Sequence, residues 1–191
     1  MTERRTETAD LFDTVFRGAD LSDDGCYRYH LWRRWDMALG HPLLTFIMLN
    51  PSTADANLDD PTIRRCMGFA RALGYGGIAV SNLYAYRATK PADLWTADEP
   101  TGGERNEEHL RLTFEHAPPG SVIAAWGAHA KADRVTQVMG WADRAGCTLR
   151  ALHVTKGGAP GHPLYLPATA TPQPWPAMSK PPGSSDGGAS E

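Results

Sequence analysis

Four short segments of the sequence carry side chains that could do chemistry. They are NPSTAD (50–55) with Asn50 and Asp55, NLYAYRATKP (82–91) with Asn82 and Arg87, WGAHAK (126–131) with His129, and KGGAPGHPLY (156–165) with Lys156 and His162. Amides donate and accept hydrogen bonds, carboxylates and imidazoles transfer protons, and guanidinium groups bind phosphate. If the fold brings these segments together, they would bind a polar ligand and transform it.

Asn50 follows an apolar stretch and precedes a proline, in TFIMLNPSTAD (45–55). Proline has no N–H for a sheet, and it disfavours helical angles in the residue before it. We therefore predict that Asn50 ends a buried strand and directs its amide beyond the sheet edge, where open α/β sheets bind ligands. Asn-Pro also initiates turns, so a purely structural role for this pair stays open.

The remaining candidates each have a structural alternative. Asn82 follows the apolar run GIAVS (77–81), and a buried amide there needs partners, which are either protein groups or a ligand. Arg64 and Arg87 would hold phosphate, or they would be solvated. The His162-Pro163 pair would place an imidazole in the site, or would form only a rigid turn.

Several familiar motifs are absent from the sequence. It has no GxGxxG and no GxxxxGK[ST], and the predicted domain (21–167) has no GxSxG, so dinucleotide binding, P-loop and nucleophile-elbow interpretations lose their main support. Asp55, Asp59 and Asp60 are too loosely grouped to predict a Mg²⁺ site, and Asp60 before Pro61 suits a helix cap. We predict no metal and no cofactor.

The pattern of apolar residues predicts the elements that position these segments. Strands are expected over 26–35, 41–50, 77–86, 121–127 and 148–154, with the first two paired as an antiparallel edge, and helices over 62–74, 102–118 and 129–146. This alternation predicts an α/β fold, a three-layer α/β/α sandwich with a mostly parallel central sheet.

Composition predicts the boundaries of the domain and the cellular location of the protein. Residues 1–20 are predicted to form an arm, 21–167 a single domain, and 168–191 a disordered tail rich in Pro, Gly and Ser. The formal net charge of -3 argues against coating of DNA by bulk charge. With no apolar leader or membrane-spanning run in the sequence, a cytoplasmic location without membrane contact is expected.

Five motifs in order resemble an uncharacterised bacterial and phage family, domain of unknown function 1643, over residues 26–166. The motifs are CYRYHLWRRW (26–35), FIMLNPSTADANLDDPTIRRC (46–66), SNLYAYRAT (81–89), AAWG (124–127) and GHPLYL (161–166). The order of their loops is also similar to the uracil-DNA glycosylase superfamily, through Asn50-Pro51, Asn82, Gly127 and His162-Pro163.

The second resemblance implies a role for each candidate residue. Asn50, with Asp55 in support, would position an attacking water, and His162 would stabilise negative charge on the leaving base. The substrate would be bound by Asn82 at the base edge and by the other candidates, Pro51, Ser52, Thr53, Tyr84, Arg64, Arg87 and Gly127. Tyr84 is equally suited to the core.

The sequence departs from the glycosylase pattern in ways that affect the expected substrate. No glycine precedes Asn50, and the last loop is shorter, so Leu164 is not expected to act as a wedge in duplex DNA. The hypothesis is therefore a hydrolase acting on an N-glycosidic bond of a nucleotide or a modified DNA base, in DNA modification or repair. Two alternatives are a non-catalytic nucleotide or nucleic-acid binder and a structural, partner-binding protein.

Overall fold

The computed structural model describes residues 15–37 and 41–176. Its strands are β1 (Phe16–Leu21), β2 (Arg28–Arg34), β3 (Leu43–Met48), β4 (Gly77–Asn82), β5 (Val122–Ala124), β6 (Leu149–Ala151) and β7 (Gln173–Pro174). Its α-helices are α1 (Pro61–Ala72), α2 (Pro91–Leu94), α3 (Gly103–His116) and α4 (Ala132–Arg144). The predicted α/β class is confirmed.

The seven strands form one mixed sheet in the order β1-β2-β4-β3-β5-β6-β7. The central strands β4, β3, β5 and β6 are parallel, whereas β1, β2 and β7 add antiparallel edges. The prediction of a mostly parallel sheet was therefore wrong. The predicted pairing of strands 26–35 and 41–50 was wrong too. These segments form β2 and β3, but β3 has β4 and β5 as neighbours and β2 pairs with β1 and β4.

Helices cover both faces of this sheet. The buried residues Leu44 and Phe46 of β3 pack in one core with Ile63 and Phe69 of α1. On the opposite face, Ile47 packs in a second core with residues of α3 and α4. Because side chains alternate along a strand, the nearly continuous apolar run of β3 supplies both cores.

Helix α1 begins and ends where the sequence predicts. The Asp60 carboxylate accepts a hydrogen bond from the N–H of Ile63 at 2.8 Å, which caps the helix, and Pro61 is its first residue. Gly74 follows the helix with a φ of +78°, a conformation that other residues adopt rarely. The helix start is thereby fixed beside the end of β3.

Both ends of the described chain contain more structure than the composition predicts. β1 occupies part of the predicted arm, and residues 173–174 of the predicted tail pair with β6. Trp175 is 8% exposed, its ring lies 5.0 Å from the ring of Trp126, and its indole N–H donates to the Gly158 carbonyl. One large aromatic side chain thus ties a Pro-rich segment to the core. Residues 1–14 and 177–191 lie outside the described residues.

No helix within the described part of the chain has the length and apolar character needed to cross a membrane.

Candidate functional site

A cavity of about 440 Å³ lies at the carboxyl ends of β3 and β5. The chain passes from β3 to β4 on one side of the sheet and reaches β5 on the other, so the strand order reverses between β3 and β5. Such a topological switch point is where open α/β sheets form ligand crevices. The cavity is within the size range of small-molecule sites.

Asn50 reaches this cavity directly from the end of β3. Its side-chain Nδ2 donates to the carbonyls of Pro51 at 2.9 Å and Ala88 at 2.8 Å. These bonds fix the amide in one orientation, and no described residue donates to Oδ1. Asn50, two residues beyond the end of β3, therefore presents a fixed hydrogen-bond acceptor at the cavity.

His162 lines the same cavity from the loop after β6. Burial lowers the pKa of His162 below its usual 6.5, so its ring is neutral at pH 7. Its Nδ1 accepts from the N–H of Leu164 at 3.4 Å, which leaves Nε2 as the protonated nitrogen of the neutral ring. The imidazole can thus donate one hydrogen bond to a ligand.

Gly127 connects the end of β5 to the loop that carries His162. Its N–H donates to the Pro160 carbonyl at 2.9 Å, and its φ is +72°. A Cβ at this position would lie 3.9 Å from the Cβ of His162, so the backbone and the imidazole are close neighbours. Glycine permits this left-handed turn at the cavity wall.

Three arginines hold the loop between β3 and α1, which forms one wall of the cavity. Arg28 donates to the Ala54 carbonyl at 2.8 Å, and Arg87 donates to the carbonyls of Ser52 and Thr53, both at 3.4 Å. Arg33 donates to carbonyls further along the loop. Ser52 and Thr53, which were predicted to bind substrate, line the cavity as part of this wall.

Six other predicted site residues are not among those that line the cavity: Pro51, Asp55, Arg64, Asn82, Tyr84 and Arg87. Asp55 accepts from the N–H groups of residues 57 and 58, both at 2.8 Å, so its carboxylate closes a turn of its own loop. Arg64 is exposed on α1 and donates to the Asp59 carbonyl, and Arg87 braces the loop from outside. Pro51 is buried in the loop.

Tyr84 lies on the other face of the sheet. Its ring packs edge-on against Trp95 at 5.1 Å within the second core, and it lines a separate cavity of about 480 Å³ beside α4. Tyr84 is therefore part of the core, which was the structural alternative to a role in binding. A base bound in the first cavity cannot stack on Tyr84.

Asn82 is 1% exposed, and neither polar atom of its side chain has a partner among the described residues. It does not line the cavity, although alternation along β4 places it on the same sheet face as Ile78 and Val80. An unpaired buried amide is uncommon and opposes folding. The sequence is compatible with either a protein or a ligand partner for this amide, and no protein partner is present in the described chain.

Replacing Asn82 by leucine is expected to raise the free energy of unfolding of the ligand-free protein by about 1 kcal/mol, because it removes the desolvated amide at similar volume. Urea unfolding would measure this change. Asn106→Leu is the matched control, since the Asn106 amide donates to the carbonyls of Asn82 and Leu83, and its loss should lower stability. Destabilisation by both substitutions would show that Asn82 is satisfied within the folded protein.

Sequence reasoning missed two charged residues at the cavity, Arg28 and Asp60, and the aromatic Trp126. Asp60 was recognised only as a helix cap. Arg28 lies at the start of the predicted strand 26–35, where alternation with Tyr27 and Tyr29 would place it on the exposed face, but it is 3% exposed. A register shift between Asp20 and Leu21, where β1 pairs with β2, turns both Arg28 and Tyr29 inward. No local signal in the sequence predicts that shift.

Within residues 15–37 and 41–176, no group of three or more His, Cys, Asp or Glu side chains is arranged to hold a metal ion.

Residues 28–164 match the family described as "Protein of unknown function (DUF1643)". The chain belongs to this family. The match begins at Arg28 and ends at Leu164, so both ends of the family region lie at the cavity. No curated protein and no solved structure is significantly similar to the chain.

Proposed function

We propose that this DUF1643 protein binds a nucleobase in the switch-point cavity and acts on an N-glycosidic bond of a nucleotide or a modified DNA base. The observation that carries the proposal is the meeting of Asn50, Gly127 and His162, from three separate loops, at one cavity. They are three of the four positions that carry the likeness to the uracil-DNA glycosylase superfamily; the fourth, Asn82, does not line the cavity. The proposed fold is accordingly the three-layer, glycosylase-like sandwich.

The proposed chemistry uses the two polar groups with fixed orientations. As an N-glycosidic bond breaks, negative charge develops on the base and positive charge on the sugar. The water oxygen then bonds to the sugar carbon, and the proton that the water loses passes through solvent to the base. The neutral His162 would donate its Nε2–H to the leaving base, and Asn50 Oδ1 would accept from the attacking water and orient it. A preorganised donor of this kind accelerates comparable reactions by about 10²–10³.

The position of Asp55 favours a second candidate function. With its carboxylate occupied in a turn outside the cavity, Asp55 cannot assist Asn50 in activating water. Among the described residues, Asp60 is the one carboxylate that lines the cavity, and one of its oxygens caps α1. A nucleotide-binding protein without turnover would need no general base, so binding without catalysis is the alternative.

Release of free base would test the catalytic proposal. Wild-type protein would be incubated at pH 7.5 with nucleosides, nucleotides and oligonucleotides that carry modified bases, and free base would be separated by chromatography. We expect release from at least one substrate, reduced at least tenfold in Asn50→Ala and in His162→Asn. Asparagine at 162 can still accept from the Leu164 N–H, so this variant retains the local turn.

Asn57→Ala is the control, because Asn57 is exposed on the same loop and lies outside the cavity. Equal release by wild type, Asn50→Ala and His162→Asn would remove the catalytic assignment. If one of these compounds binds to the protein but none releases free base, the result would favour the binding alternative.

A further inference from the structure

Arg28 is a buried charge at the cavity without an ion pair. It is 3% exposed and lines the cavity, and no described carboxylate forms a salt bridge with it. Burial lowers the pKa of its guanidinium to about 10, which still leaves the group charged at neutral pH. Buried charges are normally paired, because removal from water is unfavourable.

The hydrogen bonds of Arg28 are also incomplete. Nη1 donates to the Ala54 carbonyl, Nε has no partner, and no described residue accepts from Nη2. A guanidinium has five N–H donors, so most of its capacity is unused. The fixed bond to Ala54 nevertheless holds the group in place at the cavity wall.

Unlike Arg28, the two other buried arginines of the described chain each have an ion pair. Arg33 pairs with Asp59 at 2.6 Å, and Arg134 lies 3.4 Å from Glu107. Both arginines have an internal carboxylate, so their charge needs no ligand. Of the three, only Arg28 lines the switch-point cavity, whereas Arg134 lines the separate cavity beside α4 with Glu107 as its ion-pair partner.

We propose that Arg28 binds the phosphate of a nucleotide whose base lies at the His162 end of the same cavity. This inference rests on the proposed function and specifies its substrate as a nucleotide instead of a free nucleoside. Guanidinium and phosphate match in charge and in planar, two-pronged geometry. The Thr62 hydroxyl, in the first turn of α1, lines the same cavity and would supply a further donor.

The sheet places the two ends of the cavity well apart. Arg28 belongs to β2, and His162 lies in the loop that contacts the end of β5 through Gly127. β2 and β5 are separated by three strand intervals in the order β2-β4-β3-β5, which is roughly 14 Å. A nucleotide, which carries its base and its phosphate at opposite ends, suits this separation of the two backbones.

The other arginines that the sequence suggested for phosphate are less suited to the role. Arg87 already donates to three backbone carbonyls, and Arg64 is exposed on α1. Neither lines the cavity. A phosphate that enters the cavity would therefore meet Arg28.

Binding measurements with matched ligands would test the proposal. The four common nucleoside 5′-monophosphates and the corresponding nucleosides would be titrated by calorimetry into wild type, Arg28→Gln and Arg64→Gln. For at least one base, we expect the monophosphate to bind wild type at least tenfold more tightly than the nucleoside. Arg28→Gln should lose this preference, and Arg64→Gln should retain it.

A second variant, Asp60→Asn, tests how a negative charge at the cavity affects phosphate binding. Asp60→Asn keeps an oxygen to cap α1 but removes the negative charge beside the proposed phosphate, so monophosphate binding should tighten severalfold. Equal affinities for nucleoside and monophosphate in wild type would overturn the proposal, as would a preference that survives in Arg28→Gln. Failure of every monophosphate to bind at millimolar concentration would also overturn it.

The outcomes separate this inference from the proposed reaction. A phosphate preference that depends on Arg28, without release of base, would retain the phosphate site and reject the glycosidic chemistry. Base release that is equal for nucleosides and monophosphates would retain the glycosidic chemistry and reject the phosphate site.

Discussion

Replacing Arg33 by methionine is expected to lower the free energy of unfolding by about 3–5 kcal/mol, as the loss of one partner of a buried ion pair typically does. Arg33 is completely buried, and its Nε donates to Asp59 Oδ1 at 2.6 Å. Its Nη2 donates to the carbonyls of Asp55 and Leu58 at 2.6 and 3.3 Å. Without Arg33, the Asp55 carbonyl would lose its partner and the Leu58 carbonyl would keep only the Asp55 N–H. The Asp59 carboxylate would keep only Arg17 at 3.6 Å.

Methionine keeps most of the aliphatic stem of Arg33, so the loss would report on the guanidinium. Urea unfolding at pH 7 would measure it, with Arg64→Met as the control because Arg64 is exposed. Substitutions at such surface positions usually change stability by no more than about 0.5 kcal/mol. A loss below about 1 kcal/mol in Arg33→Met would show that the loop does not depend on this ion pair.

The same substitution should also affect the cavity. The segment that Arg33 holds, residues 55–59, lies between Ser52 and Thr53 on one side and the start of α1 on the other. If its anchor is lost, the wall that carries Asn50 becomes mobile. Ligand affinity should then fall even though Arg33 itself does not line the cavity.

Elements with local chemical signals were predictable from the sequence. Asp60-Pro61 fixes the start of α1 and Gly74 its end, and both were identified from the residue types alone. The ends of β3 and β5 were located in the same way, which brought Asn50 and Gly127 into the candidate site. These predictions depend only on neighbouring residues.

Features that depend on distant contacts were not predictable. The partner of β2 is decided by competition for the edges of β3 and β4, and the inward position of Arg28 is decided by an irregular register with β1. Trp175 packs into the core although its surroundings have the composition of a tail. The strand ends could therefore be found, but the side chains that face the cavity from the sheet edge could not.

The free energy of unfolding is expected to fall by about 3 kcal/mol more in wild type than in His30→Gln when the pH decreases from 7 to about 4. Burial is the main cause that lowers the pKa of His30 from 6.5 to about 4, and the nearby charge of His109 adds to it, while Asp20 opposes it. Each unit of pKa difference between the states corresponds to about 1.4 kcal/mol.

The sign follows from the protons bound in each state. Between about pH 6.5 and 4 the unfolded chain has bound a proton at His30, whereas the folded protein has not, so lowering the pH favours unfolding. At pH 7 both states are neutral at this site, and His30 contributes no proton-linked difference. The contribution of neutral His30 to the free energy of unfolding is thus fully present above about pH 6.5 and is lost as the pH falls toward 4.

Urea unfolding of wild type and His30→Gln at several pH values from 7.5 to 4 would measure this difference directly. Glutamine can keep a hydrogen bond to the Ser81 hydroxyl, which lies 3.3 Å from His30 Nδ1, so the two proteins should be similar at pH 7.5. Their curves should separate below pH 6.5, because protonation of His30 destabilises only the wild type. Parallel curves down to pH 4 would mean that His30 binds its proton equally well in the folded and unfolded states.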